Sequence, residues 1–178
     1  MMFFTEKFVK CLLTLVFAGL LGACSDGNNV AQTTAQSSST ALNGSAKPAL
    51  IVYKSETCGC CKKWVEHLNE NGFVATPHNS VDLSTLKTDK GIAPRYQSCH
   101  TGVSADGYVF EGHIPAKYIK QFLQNPPADA LGLSVPAMPV GSPGMEVGDK
   151  FMPYNVLLLK SDGSVQTYAK IKTAQQQY

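Results

Sequence analysis

An α/β sandwich is the fold this chain predicts, on three observations. An apolar run, Ala49-Leu50-Ile51-Val52-Tyr53, has the length and composition of a buried strand. A thiol-bearing turn, Cys58-Gly59-Cys60-Cys61, follows it, and a helix-patterned run containing Trp64, Val65 and Leu68 follows the turn. Further strand, turn and helix signals then alternate to the end of the chain.

Each element has its own signal. Cys60 to Asn71 reads as a helix with Gly72 in the C-terminal cap position. Cys61, Trp64, Val65 and Leu68 share one helical stripe, which turns Cys61 toward the core. Phe73–Pro77 is a short strand, and Asp82–Lys90 a short amphipathic helix ended by Gly91. Ala105-Asp106-Gly107 is a hairpin turn between strands at Thr101–Val103 and Tyr108–Glu111. Pro115 opens a helix that buries Ile119, Phe122 and Leu123. Residues 125–150, rich in Pro and Gly, read as one long loop. Tyr154–Leu159 and Val165–Ala169 form a second hairpin around Ser161-Asp162-Gly163. A Cys-x-x-Cys at the first helix makes this order that of a thioredoxin-like sandwich with additional β-hairpins and a long Pro/Gly-rich loop.

The rest of the chain sets the context. Lys7 and Lys10 precede an apolar stretch, Leu12 to Leu21, too short to span a membrane as a helix. Leu21-Gly22-Ala23-Cys24 resembles a bacterial lipoprotein processing box, making residues 1–23 a signal peptide and Cys24 a lipidated N-terminus. An ordinary secretory signal and an uncut anchor are the other readings. Ser25 resembles the outer-membrane sorting signal of Gram-negative lipoproteins, so the expected location is the periplasm, lipid-anchored, outer membrane before inner. Residues 24–47, polar and poor in large apolar side chains, read as a disordered tether. Residues 48–172 are the folded domain and 173–178 a C-terminal tail. A net charge of +2 without a basic cluster argues against nucleic acid. No Ser/His/Asp arrangement is present, and the Gly-rich stretch 141–148 lacks the lysine of a phosphate loop.

Of the 6 cysteines, Cys11 falls in the signal and Cys24 at the lipid site. Cys58, Cys60, Cys61 and Cys99 remain. In an oxidising compartment, one or two disulfides among them are a plain alternative to any metal. Cys58 and Cys61 at a helix N-terminus also suit thiol–disulfide exchange, because the positive end of the helix lowers a thiol's pKa and favours the thiolate. The third cysteine in the turn, Cys60, is surplus to a redox pair and suits a soft metal such as copper(I), which thiolates bridge readily. Structural zinc sites usually bring two separated knuckles, and only one is present. Cys99 is the candidate fourth sulfur and His100 its tuning neighbour. Met138 and Met145, in a Pro/Gly loop without periodicity to bury them, are secondary candidates as soft thioether ligands or near-site packing. His113 is a candidate nitrogen ligand for oxidised copper, and His67 and His78 rank below it. Pro136 or Pro139 is the candidate for the proline, often cis, that faces a Cys-x-x-Cys, with its isomer left open by the sequence.

Cys58-Gly59-Cys60-Cys61-Lys62-Lys63-Trp64, Ser98-Cys99-His100-Thr101, Glu111-Gly112-His113-Ile114-Pro115, Met138-Pro139-Val140-Gly141-Ser142-Pro143-Gly144-Met145-Glu146 and Pro153-Tyr154 together resemble the CopG-type copper-resistance proteins. That family was long described as a metal-binding domain of unknown function. The resemblance spans nearly all of residues 49–170 and departs at Ala137, where the family pattern has glycine. It implies a periplasmic thioredoxin-like domain working beside copper or silver efflux systems. It also implies a multinuclear copper–thiolate cluster on Cys58, Cys60, Cys61 and Cys99, and an interconversion of Cu(I) and Cu(II) that would make the protein a copper-dependent oxidoreductase. Two other classes compete: a thiol–disulfide oxidoreductase using Cys58 and Cys61, and a disulfide-stapled interaction domain without metal.

Overall fold

Among the described residues, seven strands form one mixed sheet in the order β2-β1-β3-β4-β5-β6-β7, with three α-helices packed about it. The computed structural model describes residues 46–178. Cys11, Cys24, the signal peptide and almost all of the tether lie outside the described residues. The α/β class expected from the sequence is the class found.

β1 (Ala49–Lys54) leads through the cysteine turn into α1 (Gly59–Glu70), and β2 (Val74–Asn79) returns parallel to β1. α1 has Cys58 as its N-cap: the Sγ accepts from the Cys61 N–H at 3.3 Å. Its far end closes with Phe73 N–H on Leu68 O and Gly72 N–H on Asn69 O. The expected stripe of Cys61, Trp64, Val65 and Leu68 is the buried face. α2 (Leu83–Asp89) is capped by Asp82 and leads toward β3 (His100–Ser104), which runs antiparallel to β1 and hairpins into β4 (Val109–Glu111). α3 (Ala116–Gln124) lacks a side-chain cap of its own; instead His67 Nε2 accepts the Ala116 N–H at 3.0 Å. β6 (Tyr154–Lys160) and β7 (Val165–Ile171) complete the sheet.

The core gathers Trp64, Leu68, Phe110, Ile119, Phe122, Leu133 and Val156. Phe122 meets the edges of Tyr108, Phe110 and Tyr168 at 5.1, 5.6 and 6.4 Å between ring centres. Trp64 donates from Nε1 to Ile114 O at 2.9 Å, so its one polar group is satisfied.

Two expectations need correcting, and the proline isomer left open is decided. The supposed loop 125–150 contains β5 (Ala130–Ser134), parallel to β4 and antiparallel to β6. Pro126, Pro127 and Pro136 bracket β5 and Gly132 interrupts it, which hides it from a periodicity reading. Gly132 is there for space: a Cβ would sit 1.8 Å from Val109 O in the neighbouring strand. No described peptide bond is cis, so Pro136 and Pro139 are both trans. The last six residues also do more than trail. Ala174–Gln177 form a 3-10 turn on which Gln177 is buried.

Ala137 is the one non-glycine among the described residues with positive φ, at 59°. The left-handed region costs an L side chain about 1–2 kcal/mol. Its backbone is held there by Gln97 O, which accepts the Ala137 N–H at 3.3 Å, and by Ser98 Oγ, which donates to Ala137 O. Ala137→Gly is therefore expected to raise stability by about 1 kcal/mol, less the added chain entropy of glycine. Urea denaturation of the two proteins checks it.

Candidate metal centre

The N-terminus of α1 and the start of β3 bring the four candidate cysteines together, with ligand atoms all within 4.8 Å of one another. Cys58 and Cys61 are joined in a disulfide, while Cys60 and Cys99 are free. One disulfide among the four, the plain alternative to a metal, is thus present, and it joins the pair with Cys-x-x-Cys spacing. Cys60 Sγ lies 3.6 Å from Cys58 Sγ and 4.0 Å from Cys99 Sγ. Cys61 is fully buried and Cys58 half-buried, so the disulfide is open to solvent from the Cys58 side.

Cys99 also belongs to a second group, with His100 and His113. Its Sγ lies 3.2 Å from His113 Nε2 and 3.3 Å from His100 Nδ1. Burial, reinforced by the Cys60 sulfur, pushes the Cys99 thiol up to about 12. Cys99, just before β3, has no helix N-terminus to oppose that rise. His113 is buried, and burial holds its pKa below the ordinary value against the opposing pull of Pro143 O and Glu146. Its Nδ1–H donates to Pro143 O at 2.8 Å, which leaves the Nε2 lone pair facing Cys99. Such fixing of one ring nitrogen by a carbonyl, with the other presented to a ligand site, is how metal-binding histidines are usually held. His100 is fully buried against Trp64, at 4.3 Å between ring centres, and burial drives its pKa well down. Its Nε2 is the one buried side-chain N or O without a hydrogen-bond partner among the described residues. Both histidines are fully buried beside Cys99.

The loop carrying the methionines divides. Met145 lines a shallow cleft with Cys60, Lys63 and Glu146, which puts it at the sulfur cluster. Met138 is 48% exposed. Gly144 lets the loop close on α1: a Cβ there would meet Cys60 O at 2.8 Å and Trp64 N at 2.9 Å. His78 sits on edge strand β2 against Tyr53, away from the cluster, and His67 serves α3.

One part of the site escaped the sequence reading. Lys87 of α2 and Glu111 of β4 form a buried ion pair. Lys87 Nζ also donates to Thr101 Oγ1 (3.0 Å), Thr101 Oγ1 to Glu111 Oε2, and the Ser98 N–H to Glu111 Oε1 (2.6 Å). The network pins both flanks of Cys99-His100. An acidic residue inside the apolar run Val109-Phe110-Glu111 was the available signal; Lys87 gave none.

Comparison with known proteins follows the same residues. The family described as "Protein of unknown function, DUF411" matches residues 96–145, which include Cys99, His100, His113, Met138 and Met145. Two solved structures of copper resistance protein CopG, Form 2 and Form 1, are each 44% identical and superpose with a TM-score of 0.66. Each comparison covers 70% of this chain, and 98% and 97% of the two solved chains. No curated protein matches.

Two outcomes are expected. Lys87→Met leaves Glu111 buried and unpaired, and should cost about 3–5 kcal/mol in urea denaturation. His67 is held neutral by burial, its pKa lowered from 6.5 against the pull of Glu146. A depressed histidine stabilises fully above its unfolded pKa and progressively less below it, so stability should fall as pH drops from 7 toward 5. His67→Gln, which keeps an acceptor for Ala116 without a titrating ring, should flatten part of that fall in thermal melts.

Proposed function

Because the chain belongs to the family of copper resistance protein CopG, matching it at 44% identity over 98% of its length, we propose that it binds copper in copper resistance. The observation carrying this reading is the convergence of Cys58, Cys60, Cys61 and Cys99 beside His100 and His113. Sulfur spacing alone would also suit zinc. The family, the crowding of three sulfurs into one turn and Met145 beside Cys60 favour a soft ion held by bridging thiolates.

Loading begins with the disulfide. An external dithiol reduces Cys58–Cys61 to two thiols by exchange, leaving as its own disulfide, and the Cys61 N–H then stabilises a Cys58 thiolate at the positive end of α1. The Cys99 proton must also leave as the metal binds, since burial holds it on the sulfur and makes the neighbouring His113 a weaker base than a free imidazole. Copper binding thus releases protons, and affinity should weaken as pH falls. With four sulfurs and two imidazoles, one pocket offers donors for Cu(I) and for Cu(II). We extend the proposal to several copper ions per chain, to Cu(I)/Cu(II) interconversion, to lipid anchoring at Cys24 in the periplasm, and to exchange with a copper or silver efflux system.

A second reading has its own observation. A disulfide with one buried and one accessible sulfur, the accessible one capped by a helix N–H, is also what a thiol–disulfide oxidoreductase needs. One set of variants separates the two. Reduced protein loaded with Cu(I) under anaerobic conditions should retain more than one ion per chain by metal analysis, and Cys60→Ser should lower that number without loss of fold. Full loading in C60S removes the argument from the third cysteine. In cells, C60S should lose copper tolerance as C58S does. Tolerance kept in C60S but lost in C58S and C61S would give the function to the oxidoreductase.

A further inference from the structure

Gln177, a polar side chain on the short 3-10 turn Ala174–Gln177, is 2% exposed. Its Nε2 donates to Gly141 O at 2.9 Å, and its Oε1 accepts from Tyr154 OH at 2.5 Å. The turn that carries it is closed by a capping box between Thr173 and Gln176. Tyr118 OH donates to Gln176 O and Lys117 Nζ to Tyr178 O, both at 2.9 Å, and so fasten the turn to α3. A buried amide satisfied on two separate elements is a joint of defined geometry.

Gly141 is where this joint meets the metal-site loop. The Gly141 N–H donates to Met145 O (2.9 Å) and the Met145 N–H to Ser142 O (2.7 Å), which coils residues 141–145 into one unit. Pro143 O of that unit sets the His113 tautomer, Gly144 rests on Cys60 O, and Met145 shares the Cys60 cleft. The Met152 N–H on Val140 O (2.9 Å) is a second tie at the entrance of the loop. We propose that Gln177 is a positioning residue for the metal centre: by holding Gly141 O, the C-terminal turn keeps Pro143 O on His113 Nδ1 and so keeps His113 Nε2 turned to Cys99. It touches no sulfur itself. The proposal rests on the copper reading above for its purpose, though not for its geometry.

The test uses protein purified from cells expressing the full chain, reduced and metal-free, with the His113 ring read by 15N NMR. Wild type should show Nδ1–H alone. Gln177→Leu and Gln177→Glu both remove the donor to Gly141, and Q177E keeps an acceptor for Tyr154. In whichever variant folds, by circular dichroism, both tautomers should appear and Cu(I) retention against a competing chelator should fall about tenfold or more, as for other losses behind a metal ligand. A folded variant with the wild-type tautomer and retention within about twofold of wild type overturns the proposal. Failure of both variants to fold also overturns it, since the turn would then serve the core and not the site. If wild type itself retains no copper, the copper reading falls, while the tautomer comparison still decides this one.

Discussion

The carboxylate of Glu111 is the point on which the site depends. It takes a proton donor from three directions: Lys87 of α2, Thr101 of β3 and the Ser98 backbone before β3. A carboxylate buried in an apolar strand would be prohibitive alone, and each of these partners offsets part of that cost. In return the pair fixes the chain on both sides of Cys99 and His100. Without it, residues 97–99 would be held chiefly by the contacts of Gln97 and Ser98 with Ala137 and by the Ile92 carbonyl. Cys99 reaches the sulfur cluster because an ion pair on the flank of the sheet puts it there.

The opposite wall is built by close backbone approach. Gly144 allows the 139–145 loop to lie on the first turn of α1, and from that contact follow the Pro143 bond to His113 and the place of Met145. Two devices of different kinds, one electrostatic and one steric, thus converge on a single cluster of sulfur and imidazole.

What could be read from the sequence follows from how local each cause is. β1, α1 and the buried position of Cys61 are written in runs of adjacent residues and in helical spacing, and they appear where expected. Cys60 and Cys99 come near one another through β-sheet pairing 39 residues apart, which chemistry could suggest but spacing could not show. Lys87 and Glu111, 24 residues apart, carry no local mark of partnership; on α2 a lysine reads as solvent-facing until the strand beneath it is known. β5 was hidden for the reverse reason, since its prolines and glycine are loop signals that only the neighbouring strands overrule. The departure at Ala137 did carry information: a position expected to hold glycine has the backbone angle that glycine favours.

The contact between Trp64 and His100 has a practical consequence. The chain has 1 tryptophan, and its indole lies 4.3 Å from the ring of a histidine bonded through Nδ1 to the Cys99 sulfur. The protein therefore carries a built-in optical reporter. Any heavy or redox-active ion arriving at Cys99 comes close to the only indole fluorophore of the chain. Occupancy of this site can be followed by ultraviolet emission in the native protein, without a label and without a chelator in the cuvette.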